Sequence, residues 1–392
     1  MNYELELHPR DVLYFRDGRP IGGSSDGAGS AWPHPALFHS ALLAALQYRF
    51  ADRLGGGGSE HRRWADSEKR KQKHNKVRFH FGGLKTWGPF PKTSEGIQVA
   101  TPVDLLKAGG VAAPMVLPPR GVSNLPEPLK YPVGSFTEAT KEKPGEWLPL
   151  SELSRYLSGE TKNLRTISSG ELFLSEARPG IGISAEQRTV EEGKFYSAEY
   201  LRLKRGVSMA VFASCTAKKY NGAETDILGE LFREAKRCDL LFGGQRGTAQ
   251  LECCRNRTAL VEPGPDSFPE NRVKWVLLSP GFFCNGWLPG WVNRQNGAVM
   301  LRENKTEAVD AHLVAACIPK PQVISGWNSA TEMPKATRLL VPAGSVYYFE
   351  CGTPEDAQRL SRILHGRTKS DALGEQGMGL GVCGSWEFIQ LQ

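Results

Sequence analysis

The chain lacks the short motifs that announce metal or nucleotide chemistry. Its eight cysteines, at 215, 238, 253, 254, 284, 317, 351 and 383, include no C-x-x-C pair. Tetrahedral zinc needs closely spaced thiolates, so no structural zinc is expected. Most of the cysteines stand in apolar company, as in Ala316-Cys317-Ile318. They read as small buried hydrophobes in a reducing compartment. The eight histidines, at 8, 34, 39, 61, 74, 80, 312 and 365, show no H-E-x-x-H spacing. There is no G-x-x-x-x-G-K-[ST] phosphate loop and no G-x-S-x-G elbow. Gly379-Leu380-Gly381-Val382-Cys383-Gly384 matches G-x-G-x-x-G in letters only. That fingerprint needs a strand before it and a helix after it, whereas here a strand pattern follows and the chain ends. Neither a metal nor a cofactor is therefore expected. Long apolar runs are also missing. The longest helix-like one, around Ala41 to Leu46, is too short to span a bilayer. The opening Met1-Asn2-Tyr3-Glu4-Leu5-Glu6 has neither the basic start nor the apolar core of a signal peptide. A cytoplasmic protein with no membrane contact is expected.

What is present is an ordinary globular composition, 40% hydrophobic and 23% charged over 392 residues. That length favours two domains, each able to bury a core. The net charge of +7 is compatible with a polyanion partner but does not establish one. The most informative stretch is Leu241-Phe242-Gly243-Gly244-Gln245-Arg246-Gly247-Thr248. Helical spacing over Leu228, Leu231, Phe232, Ala235 and Cys238 leads into it, and a strand, Thr248 to Glu252, follows. A second helix, glycine turn and strand close the chain, through Gly377-Met378-Gly379-Leu380-Gly381 into Ser385 to Ile389. Two such endings imply two similar halves, each with a glycine loop open to a ligand. Glycine turns let backbone N–H groups approach a phosphate, and Arg246 adds a forked donor.

Other elements follow from pattern. Leu5 and Leu7 alternate in a first strand, continued by Val12 to Phe15. Leu42, Leu46, Phe50 and Leu54 lie four apart on a helix that starts after Pro33 and Pro35. Gly55-Gly56-Gly57-Gly58-Ser59 breaks the chain, and Arg62 to Arg78 is strongly basic. Two readings stand for that run, a solvated insertion or an RNA contact. Residues 82–165 are rich in proline and glycine, with one helix expected over Leu150 to Leu157 capped by Ser151 or a neighbour. Strands are expected at Glu171 to Leu174 and Val207 to Ala213, with a projecting hairpin between them. Glu262-Pro263-Gly264-Pro265-Asp266 reads as a linker. The second half shows strands at Val273 to Leu278, Leu313 to Ile318, Arg338 to Val341 and Ser345 to Cys351. Thr353-Pro354-Glu355-Asp356 reads as a capped helix start. Both halves approximate strand–helix–strand–strand–helix–strand, although the first helix of the second half leaves no trace. The expected fold is α+β, two ferredoxin-like (RRM-like) domains over 1–265 and 270–392. The first would carry an insertion at about 55–165 and a hairpin at about 175–200.

Candidate site residues group accordingly. Arg16, Arg19, Arg188, Lys194 and Arg246 could hold phosphates, and Tyr196 and Trp327 could stack on bases. Gly243, Gly244, Gln245, Gly377, Gly379 and Gly381 form the two loops. A lone histidine can act as general base in RNA cleavage, and His34 and His39 are the best placed for it.

Six motifs occur in order: Phe15-Arg16-Asp17-Gly18-Arg19-Pro20, Gly180-Ile181-Gly182-Ile183 with Gly193-Lys194-Phe195-Tyr196, Leu241 to Arg246, Ile324-Ser325-Gly326-Trp327, Pro342-Ala343-Gly344-Ser345-Val346-Tyr347-Tyr348-Phe349, and Gly377 to Gly381. In this order they resemble the RAMP-superfamily third subunit of the type III-B CRISPR–Cas effector, the Cmr complex. The resemblance implies a non-catalytic subunit with two ferredoxin-like domains. It implies that the chain holds the 5′ repeat-derived tag of a guide RNA and docks on the large polymerase-like subunit, beside the backbone RAMP subunits. A projecting hairpin would pry the guide at the tag–spacer junction. The alternative within the superfamily is a metal-independent endoribonuclease that processes precursor guide RNA.

Overall fold

The computed structural model describes residues 2–15, 25–27, 32–50, 81, 83–107, 110–116, 124–136, 142–184, 186, 188–218, 224–257, 261–304, 307–328 and 333–389. Arg16, Arg19, Leu54 and the basic run Arg62 to Arg78 lie outside them, as do the side chains of Lys194, Tyr196 and Trp327. Along the chain the main elements are β1 (Asn2–Pro9), α1 (Pro35–Arg49), β2 (Lys85–Thr93), β3 (Gly96–Ala100), β4 (Trp147–Pro149) and α2 (Leu150–Leu157). There follow β5 (Phe173–Ile183), β6 (Val190–Leu203), β7 (Ser208–Ser214), α3 (Ile227–Glu234), β8 (Arg237–Leu241) and β9 (Thr248–Arg257). The last are β10 (Arg272–Leu277), β11 (Ala311–Cys317), β12 (Val346–Cys351), α4 (Pro354–Leu364), β13 (Arg367–Thr368) and β14 (Leu380–Ser385). The chain is α+β, with mostly antiparallel sheets and few helices. Among the described residues no helix is long and apolar enough to cross a membrane.

Two compact units form. Unit one comprises Met1–Ser94, Leu172–Thr258 and Val323–Arg338; unit two comprises Glu95–Glu171, Ala259–Gln322 and Leu339–Gln392. In unit one the strands run β8-β9-β1-β7-β2, each antiparallel to its neighbour. Leu5 and Leu7 are fully buried, as are Phe38, Leu42 and Leu46 on the apolar face of α1. Burying each such side chain contributes roughly 1.5–3 kcal/mol. Val12 to Phe15 do not continue β1; Leu13 bridges Leu201 and Tyr14 bridges Gly244 instead.

The helix expected through Cys238 stops earlier. α3 is capped by Asp226, whose carboxylate accepts from Gly229 N, and it ends at Glu234. Cys238 then sits in β8, paired with Leu251 of β9. The glycine loop therefore joins two strands of a hairpin rather than a helix and a strand. Ladder bonds to β9 outweigh the helical spacing that the apolar residues happen to show. Glu171 and Leu172 lie in a helical turn, and the strand begins only at Phe173.

In unit two a five-stranded sheet runs β11-β12-β10-β14-β13. Trp275, Tyr347, Phe349, Leu360 and Leu364 are central to its core. Thr353 caps α4 as its sequence predicts, its hydroxyl accepting from Asp356 N at 3.1 Å. α2 spans the expected residues, but its N-cap is Pro149, with no side-chain cap bond. The closing strand is Leu380–Ser385 rather than Ser385 to Ile389. Between β10 and β11 the described residues form no helix, which accounts for the missing periodicity.

Candidate nucleic-acid interface

The first glycine loop sits where three pieces of unit one converge. Strands β8 and β9 bring Leu241 and Thr248 together, and Gly247 O closes the turn by accepting from Phe242 N at 2.8 Å. Gly243 has φ +86° and packs so closely on the backbone of Tyr14 that a Cβ there would lie 2.9 Å from its carbonyl oxygen. Gly244 N donates to that same oxygen at 2.7 Å. Gly243, Gly244, Gln245 and Arg246 are all exposed. Among the described residues no protein group accepts from the amides of Gly243, Gln245 or Arg246. Exposed amides clustered in a turn make a concavity suited to an anion, and Arg246 adds a charge beside it.

Residues 11–15 tie this loop to the base of a hairpin formed by β5 and β6. Leu13 and Leu201 exchange backbone bonds of 2.9 and 2.8 Å. The Tyr14 and Tyr200 rings lie 5.4 Å apart, and Tyr200 Oη donates to Gln245 Oε1 at 2.6 Å. The Arg178 guanidinium stands 5.0 Å from the centre of the Tyr200 ring. Arg178 and Arg202 both donate to Glu176 at 2.7 Å, and Arg202 also reaches Asp11 at 3.2 Å. The bonds from Arg202 and Arg178 hold the Glu176 carboxyl below the usual carboxylate range. Neutralised in this way, the two arginines stiffen the hairpin base more than they add free positive charge.

Hairpin β5–β6 is antiparallel, with Arg178 opposite Ala198 and Ile181 opposite Phe195. On the outer half of β5, Ile181 and Ile183 are 49% and 63% exposed, unusual for isoleucine. Arg188 is exposed at the hairpin tip, with φ +55° and its amide bonded to Ser184 O. Lys194 and Tyr196 lie on β6.

The second glycine loop is placed differently. Gly377, Gly379 and Gly381 are buried. Gly379 N donates to Pro280 O at 2.8 Å, and Gly377 N to Gly374 O at 3.0 Å. Gly381 lies against the Trp275 ring, where any side chain would collide. The structure thus brings Gly243, Gly244, Gln245 and Arg246 to one surface with the hairpin base and keeps the 377–381 loop inside unit two. Tyr14, Arg178, Tyr200 and Arg202 escaped the sequence reading. Glu176-x-Arg178 and Tyr200-x-Arg202 do carry the two-residue strand period, but nothing local points them at residue 245.

The histidines fare unevenly. His39 is buried, with Nδ1 3.1 Å from Thr86 Oγ1. Burial, followed by the charge of Lys335, lowers His34 to about 4. Among the described residues no group of three or more His, Cys, Asp or Glu could hold a metal ion.

A family model described as CRISPR-associated protein (Cas_Cmr3) matches residues 5–386. No curated protein matches the chain. Among solved structures the chain is similar to a subunit of the type III-B Cmr-beta complex bound to cognate target RNA, at 16% identity and TM-score 0.45 over 88% of this chain and 86% of that one. The same complex with target RNA and AMPPnP gives 15% and 0.46 over the same shares. A chain of the apo complex gives 12% and 0.28, covering 65% of this chain and 98% of that one.

Proposed function

Because the chain belongs to the Cas_Cmr3 family of CRISPR-associated proteins, we propose that it is a non-catalytic RNA-binding subunit of a type III-B CRISPR effector complex. In that role it holds the 5′ tag of the guide RNA and docks on the large polymerase-like subunit in antiviral defence. The observation that carries the RNA reading is the loop at 243–247, where open amides and Arg246 share one exposed turn. Hairpin β5–β6, braced beside that loop, is suited to mark where the tag ends.

Strand order supports reading both units as ferredoxin-like. In unit one the first strand β1 lies between the fourth, β9, and the third, β7, with the second, β2, beyond. In unit two β10 lies between β14 and β12, with β11 beyond. The alternative, a metal-independent endoribonuclease, asks for a histidine able to exchange a proton with RNA. His39 is buried against Thr86 Oγ1, and burial makes His34 a weak base, which supports the non-catalytic reading.

Binding of the full chain to repeat-derived single-stranded RNA, measured across a salt series, tests the proposal. Phosphate contacts release counterions, so affinity should fall steeply with salt. Arg246→Ala should flatten the slope by up to about one unit, with RNA recovered intact with or without a chelator. An unchanged slope places the RNA elsewhere, and specific cleavage favours the nuclease.

A further inference from the structure

Phosphate binding leaves two features of the loop at 243–247 unexplained. Gln245 and Arg246 both occupy the left-handed region, at φ +52° and +59°. A residue with a side chain adopts that conformation at a cost and keeps it only where its surroundings impose it. The second feature is the Tyr200 hydroxyl on Gln245 Oε1. Tyr200 is itself held, by the Arg178 guanidinium over its ring and by Tyr14 beside it. The carboxamide of Gln245 is thereby oriented, its oxygen toward the hairpin base. Its Nε2 group has two N–H donors, and among the described residues nothing accepts from them.

We propose that Gln245, oriented by Tyr200, is a specificity-determining residue that donates from Nε2 to a keto oxygen of an unpaired nucleobase, selecting uracil over cytosine at the loop. The proposal rests on the RNA-binding reading above. A donor meets an acceptor on uracil at O4, whereas cytosine presents the amino group N4 at the same place, donor against donor. Single-stranded RNA offers such edges because its bases are unpaired. A base edge is a better partner for Gln245 than a phosphate. Arg246 and the loop amides already supply charge and dipole for an anion, while a neutral amide fixed in one direction adds discrimination rather than attraction. The left-handed backbone at Gln245 and Arg246 lets adjacent side chains serve these two tasks.

The test compares equilibrium binding of the full chain to oligo(U) and oligo(C) of equal length at fixed salt. Wild type should prefer oligo(U) by about five- to tenfold, the worth of one net hydrogen bond. Gln245→Glu keeps an acceptor for Tyr200 and removes both donors, so the ratio should reverse toward cytosine. Tyr200→Phe should bring the ratio toward unity while leaving the salt slope for oligo(U) unchanged. A merely structural loss of the loop would lower that slope too. Equal affinity of wild type for the two oligomers overturns the inference alone, as does a wild-type ratio in Gln245→Glu. Failure to bind either oligomer overturns the RNA reading and this inference with it.

Discussion

Lys274 places a cation inside unit two, its Nζ 3.6 Å from the centre of the Tyr156 ring. It lies on β10 next to Trp275, and because both are buried, both faces of that strand are covered. Burial pulls Lys274 down to about 8, with the charge of Asp104 opposing. Asp104 is buried too, and it accepts from the hydroxyls of Tyr156 at 2.7 Å and Tyr348 at 2.9 Å. Burial pushes its carboxyl up, while Lys274 and the two tyrosines hold it back. Removing one partner of such a cluster costs about 3–5 kcal/mol, because the other charge is left alone. Lys274→Met should therefore lower thermal stability at neutral pH. The sign with pH follows from Asp104. Without Lys274 its folded pKa rises further above the unfolded value of 3.8, so its contribution is retained at acid pH and lost as pH rises. The deficit of the variant relative to wild type should shrink between neutral pH and pH of about 5. A deficit independent of pH, read by thermal melting, would show that the loss is one of packing alone. The strand itself was legible in Val273 to Leu278. The burial of its lysine was not, since Asp104 and Tyr348 are 244 positions apart.

Strand β5 contributes little to a core beyond Phe173. Most of β5 is exposed, from Leu174 at its base to Ile183 near the tip. Replacing residues 184–189 with a short Gly-Ser turn should leave the melting temperature close to wild type, since surface changes of this kind stay within about 0.5 kcal/mol. In the assembled complex the same change should alter nuclease protection of the guide at the tag–spacer junction. Protection identical to wild type would remove the hairpin from guide placement. Its strands could be read from glycine, proline and charge between two apolar stretches. The ion-paired base could not, because Asp11 and Arg202 meet only when residues 11–15 cross β6. α3 shows the opposite error. Its spacing ran on to Cys238 in sequence, but Ala235 is extended and the chain turns into β8.

At the scale of the molecule, neither unit is one continuous stretch. Unit one takes in Val323–Arg338, and unit two takes in Glu95–Glu171. A fragment ending at Asp266 would keep Glu95–Glu171 but lose β10, β12 and β14, with which those residues share a unit. It would leave Asp104 and Tyr156 without Lys274 and Tyr348. Such a fragment should melt at a lower temperature and over a broader range than the full chain, because the Glu95–Glu171 part of unit two is left without its sheet. A sharp transition in the fragment would show that the first 266 residues fold on their own.

Local chemistry sufficed for several conclusions. Period-two and period-3.6 patterns gave β1, α1, α2, β10 and α4, and Thr353 with Pro354 announced its cap. Six ordered motifs pointed to the family, because a family's turns and strand ends leave short, position-bound residue choices. What tertiary structure decided was which of these pieces face outward together. Both glycine loops look alike as strings, yet Gly243 to Arg246 are exposed while Gly377 to Gly381 are buried. The difference lies in what each loop packs against, Tyr14 at the edge of a hairpin or Trp275 in a core. Residues more than a hundred positions away supply those neighbours, and no local pattern encodes them.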